Sequence, residues 1–182
     1  AIHAEAEKLE QELGFSSDEI RDVYTQIQKI DRKLRRMEYE FENSVDEILE
    51  MAKRIKEKEM HFFLDFHYSD YWADPGQQRK PQAWEGLSFE ELKKAVYNFT
   101  AHVLDELKQI GCLPDMVQVG NEIRSGMLFP DGEVPSYDKL AELLNAGIRA
   151  VREASPYIRV MIHLDQGGRF YYLREWFDAV FA

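Results

Sequence analysis

From residue 44 onward the chain repeats one pattern, a short apolar run of strand length followed by a longer amphipathic stretch with helical spacing. HFFLDFHYS (61–69) precedes SFEELKKAVYNFTAHVLDELKQIG (88–111), and PDMVQVGNE (114–122) precedes SYDKLAELLNAGIRAVREASP (136–156). YIRVMIHLD (157–165) precedes FYYLREWFDAVF (170–181). Punctuation agrees with this division: Gly111 stops the first helix, Pro114 opens the second strand, Ser136 caps the second helix and Pro156 lies beyond its end. Strands that alternate with helices of this length pair in parallel, either in an open doubly wound sheet or in a barrel. Neither GNEIRSG nor DQGGR fits a nucleotide-binding glycine loop, which favours the barrel.

The first third reads differently. Ile20, Val23, Ile27, Ile30, Leu34, Met37 and Phe41 alternate steps of three and four, a heptad stripe with charged residues between. Ser16 with Glu19 forms a capping box for this helix, and Gly14 can end a shorter one before it. A second box, Ser44 with Glu47, restarts a helix through Ile48, Met51, Ala52 and Ile55 to about Glu59. The expected division is a helical segment, 1–43, and an α/β domain, 44–182. The stripe suits pairing between copies through residues 16–59 as well as it suits docking on the sheet.

With 182 residues, 45% of them hydrophobic, the chain can build one ordinary core. Its net charge of -11 would repel a phosphate backbone or an anionic membrane surface, so neither nucleic acid nor membrane is an expected partner. No apolar run is long enough to span a bilayer, and the polar first residues do not form a signal peptide. Cys112 is the only cysteine, which excludes an internal disulfide and a cysteine metal cluster.

In parallel α/β architectures the working residues collect at the carboxyl ends of strands. Here those ends carry Asp65, His67, Ser69 and Asp70, followed by Tyr71 and Trp72; then Asn121 and Glu122; then His163, Asp165 and Gln166. Trp84 follows in the loop after the first strand. Carboxylates, imidazoles and an amide beside indole rings suit a sugar, whose hydroxyls need planar donors and acceptors and whose C–H faces stack on aromatics. Blander readings stand beside this one. Glu122 alone could be a solvated loop carboxylate, and on spacing His67 and His163 are better read as core histidines. Trp176 and Phe177 are more simply core, whereas Tyr71, Trp72 and Trp84, in a Pro- and Gly-rich loop, favour a sugar platform. No His spacing supports a metal site, and no cofactor is expected.

LDFHYSDYWADPGQQRKPQAW, PDMVQVGNEIRSGMLFP and VMIHLDQGG resemble three successive motifs of glycoside hydrolase family 53, the arabinogalactan endo-β-1,4-galactanases, over residues 44 to about 180. The resemblance implies a (β/α)8 TIM barrel of which this chain holds about three parallel strands, the third to the fifth. It implies retaining endo-hydrolysis of β-1,4-galactan in arabinogalactan type I, outside the cell. It assigns Glu122 as acid/base and Asn121 to the sugar beside the reaction centre, with His67, Asp70, Trp72, Trp84, His163 and Asp165 in the substrate groove. The family's nucleophile strand has no counterpart here, and residues 1–43 show nothing like its first two strands. Asp65, Asp70 and Asp165 are the nearest substitutes, and none matches the nucleophile. Phe129 and Arg169 also depart from the family pattern. The expectation is therefore an incomplete barrel with exposed sheet edges, inactive alone. The rivals are a non-catalytic galactan-binding fragment and a helical oligomerisation protein carrying a barrel remnant.

Overall fold

The computed structural model describes residues 17–42 and 44–181. The chain divides into two compact units, residues 1–42 and 43–182. Within the first, helix α1 (Ser17–Glu42) begins with Asp18 and Glu19 in its first turn, where carboxylates offset the positive end of the helix dipole. The proposed cap Ser16 and the proposed stop Gly14 lie outside the described residues.

The second unit opens with α2 (Val45–Glu57), capped by Ser44, whose side chain accepts the Glu47 N–H. Ala52 is wholly buried, with Ile48 and Ile55 packed against the core, but Met51 lies at the margin of this stripe and is exposed. The helix ends in a Schellman turn: Met60 N donates to Ile55 O, Glu59 N donates to Lys56 O, and Glu59 takes a left-handed φ of 54°.

Three strands form the sheet, β1 (Phe63–Phe66), β2 (Met116–Val119) and, third in space, a strand at Arg159–Met161, all parallel, with β2 in the centre. Each is shorter than its apolar run, because only residues with a partner across the ladder are held as strand. Between them run α3 (Phe89–Gln109) and α4 (Tyr137–Ala154), and α5 (Phe170–Val180) closes the unit. Ser88 and Glu91 form a full capping box at the start of α3, and Ile110 and the left-handed Gly111 end it. Ser136 does stand at the N-cap of α4, but its side chain makes no capping hydrogen bond.

Period-two alternation sorts the strand residues. Leu64 and Phe66 of the first strand, Tyr68 just beyond it, and Val117 and Val119 of the second are buried with Leu92, Val96, Val103 and Leu107 of α3 and Leu140, Leu143 and Val151 of α4. Asp65, Gln118 and Met161 stand side by side in register on the opposite face. At the sheet's amino end Asp115 stitches the strands together. Its carboxylate accepts Phe62 N at 2.7 Å and its carbonyl accepts Arg159 N.

The sequence pattern gave no sign of a small antiparallel hairpin beyond β2, formed by β3 (Gly126–Met127) and β4 (Gly132–Glu133), so that the Arg159–Met161 strand is β5. A Cβ at Gly126, whose φ is +103°, would lie 2.0 Å from Gly132 O, so this crossing requires glycine. Among the described residues no helix is long and apolar enough to cross a membrane.

Candidate active site at the strand ends

Beyond the carboxyl ends of the three parallel strands, at Phe66, Val119 and Met161, stand Tyr68, Glu122 and Gln166, each non-glycine and each with positive φ, at 51°, 48° and 63°. Non-glycine residues adopt this region at a cost, and such outliers concentrate where geometry serves function.

Asn121 organises the centre. It is 5% exposed; its amide Nδ2 donates to Ala73 O at 2.8 Å, and its Oδ1 receives Gln118 Nε2 at 3.2 Å and His163 Nδ1 at 2.8 Å. Because Oδ1 can only accept, His163 carries a hydrogen on Nδ1. Both lone pairs of Oδ1 are thereby used, while the second Nδ2 hydrogen is left over. Gln118 Nε2 also donates to Asp65 Oδ1, and Asp65 Oδ2 accepts His67 Nε2 at 3.1 Å. His67 is thus fixed with its Nε2 hydrogen on Asp65. Its buried Nδ1 meets no hydrogen-bond partner among the described residues. Trp72, 57% exposed, sets its ring edge-on to His67 at 5.1 Å between centroids.

The loop after β1 is held on the loop after β2. Gln78, 2% exposed, donates to Asn121 O at 2.7 Å, Phe129 N donates to Gln78 O, and Lys80 pairs with Asp131 at 2.5 Å. The loop after β5 is held likewise. Arg124 Nε reaches both oxygens of Asp165, at 2.8 and 3.1 Å, and Ile123 N donates to His163 O. Asp165, and then Tyr172, raise the Arg124 guanidinium above its ordinary value. Trp176 Nε1, from α5, donates to Arg124 O.

Glu122 stands apart. It occupies the N-cap of a 3-10 turn, Ile123–Ser125, half-buried, and its carboxylate has no hydrogen-bond or ion-pair partner among the described residues. The three aspartates considered as substitute nucleophiles are all engaged. Asp65 holds Gln118 and His67, Asp165 holds Arg124, and Asp70 accepts Gln82 N at 2.8 Å.

Of the residues named from sequence, the structure brings Asn121, His67, His163 and Trp72 into one network beside Glu122. Asp165 serves as a strut for Arg124, and Asp70 braces the loop backbone. Trp84 instead joins an aromatic cluster with Tyr68 and Phe99, at 6.3 and 6.2 Å, against the core. Sequence reasoning missed Gln118, Gln78 and Arg124. Gln118 could have been found, as the polar residue on the alternate face of an otherwise apolar strand; no local signal marks the other two. Among the described residues, no group of three or more His, Cys, Asp or Glu is disposed to hold a metal.

Comparison with known proteins identifies the family and the fold. The profile of Glycosyl hydrolase family 53 matches residues 22–182, beginning inside α1. An uncharacterised protein of Niallia circulans is 48% identical over 143 residues, covering 74% of this chain and 39% of its own length. The endo-beta-1,4-galactanase of Bacillus subtilis is 40% identical over 136 residues, covering 73% of this chain and 31% of its own. Among solved structures, the Ignisphaera aggregans GH53 catalytic domain superposes with a TM-score of 0.70 at 38% identity, over 76% of this chain and 39% of that one. The chain spans less than half the length of the relatives it matches.

Proposed function

The chain belongs to glycosyl hydrolase family 53, and from that premise we propose that it carries the acid/base half of a retaining endo-β-1,4-galactanase site, acting on extracellular pectic galactan. The observation that supports this reading is the contrast between Glu122 and its neighbours. Asn121, His67, His163, Gln118, Asp65 and Asp165 each have a protein partner, whereas the Glu122 carboxyl group has none among the described residues and is left for a ligand. In a retaining mechanism such a group first protonates the leaving glycosidic oxygen, then withdraws a proton from the attacking water. The nucleophile must lie about 5 to 5.5 Å from it. Asp65, Asp70 and Asp165 are each committed to a protein partner, so none of the three supplies that nucleophile.

The remaining hydrogen on Asn121 Nδ2 then meets a sugar hydroxyl, and the exposed Trp72 ring stacks on a pyranose face. The network of Gln118, His163 and Gln78 acts behind Asn121, holding it in place before substrate arrives.

Reducing-end release from β-1,4-galactan tests this, with Glu122→Gln as control. The expected result is no turnover by the chain alone, with retardation in galactan-containing gels that Trp72→Ala abolishes. Turnover that Glu122→Gln removes would keep the acid/base role and overturn the half-site reading. Turnover indifferent to Glu122→Gln would overturn both.

A further inference from the structure

We propose that α1 is a self-association element, which pairs in parallel with the same helix of a second copy of this chain. The proposal goes beyond the galactan site and does not depend on it. In α1, Val23, Ile27 and Ile30 are 57%, 56% and 58% exposed. Most helical stability in proteins comes from packing an amphipathic face, so a stripe of this kind calls for a cover. The form of the stripe indicates what covers it. Helix α4, which packs on the sheet, buries adjacent pairs, Leu143 with Leu144, Ala146 with Gly147 and Ala150 with Val151, giving a broad face. The α1 stripe keeps the strict three–four alternation of Ile20, Val23, Ile27, Ile30, Leu34, Met37 and Phe41, and its flanking positions are polar apart from Tyr24. A seam that narrow fits another helix rather than a sheet.

Charge then selects an identical helix and its direction. With Ile20 and Ile27 at the first heptad position, a parallel pair sets Lys33 of one copy opposite Glu38 of the other on both flanks, and Gln26 opposite Asp31. An antiparallel pair sets Glu19 opposite Glu40 twice and offers no pair of opposite charges.

Light scattering and sedimentation of the full chain at micromolar concentration test the proposal. The expected mass is at least twice 21.4 kDa, falling to that of a single chain in Ile27→Asp/Ile30→Asp while the near-UV spectrum of the barrel aromatics is unchanged. Lys33→Glu turns two attractive flanks repulsive and should weaken association about tenfold. Adding Glu38→Lys should restore it, and oxidised Val23→Cys should cross-link copies through equivalent positions. A single-chain mass for the unaltered protein would overturn the proposal. So would an assembly that the paired Asp substitutions leave intact, a charge exchange that fails to restore association, or an absence of Val23→Cys cross-links.

Discussion

Tyr68 and Thr100 form a buried hydroxyl pair whose donor can be assigned by counting hydrogens. The two oxygens are 2.7 Å apart, and Thr100 Oγ1 already donates its single hydrogen to Val96 O at 2.8 Å. The Tyr68 hydroxyl must therefore be the donor, and burial pushes its pKa far above the ordinary 10, so it remains one at any working pH. The two truncations are then unequal. Tyr68→Phe removes a net bond worth about 0.5–1.5 kcal/mol and leaves Thr100 still donating to Val96. Thr100→Val strands a buried phenol hydroxyl, which costs about 1–3 kcal/mol. The double variant should therefore be more stable than Thr100→Val alone, by about 1 kcal/mol. Urea unfolding followed by far-UV circular dichroism at neutral pH reads all four corners of the cycle. If adding Tyr68→Phe to Thr100→Val lowers stability further, the donor assignment is wrong.

Three other perturbations follow from local geometry. Glu59→Gly places glycine at a left-handed φ of 54° behind α2 and should raise stability by about 0.5–1 kcal/mol in the same urea assay. Gly147→Ala would put its Cβ 2.7 Å from Val119 Cγ1; the overpacking, about 1–3 kcal/mol, should outweigh the helix-propensity gain of about 1 kcal/mol and lower the melting temperature. The Phe62 N–H, and then His61, hold the Asp115 carboxyl below its ordinary value of 3.8, so its contribution is present above that pH and is lost as pH falls through the lower folded value. Melting temperature against pH should accordingly drop less steeply below about pH 4 in Asp115→Asn than in the unaltered chain.

The sequence by itself determined the parallel strands, the long helices and their order, though not the β3–β4 hairpin, because the information is local. Two-residue alternation separates Leu64 and Phe66 from Asp65, Ser44 meets the Glu47 backbone one turn away, and Gly111 ends α3 where a left-handed residue is needed. The wording of three strand-end motifs likewise carried the family, since residues that meet at one site in a parallel fold recur at each strand's carboxyl end. Tertiary structure alone decided which of those residues remain available. Asp165 and Arg124 are 41 positions apart, as Gln78 and Asn121 are 43, and nothing local relates them. Trp84 packs beside Tyr68 and Phe99, from a strand end and a helix, and no local spacing relates the three. The free carboxylate of Glu122 is a property of the whole set. Among the described residues its polar neighbours find partners among themselves, and no spacing rule can express a partner that is absent.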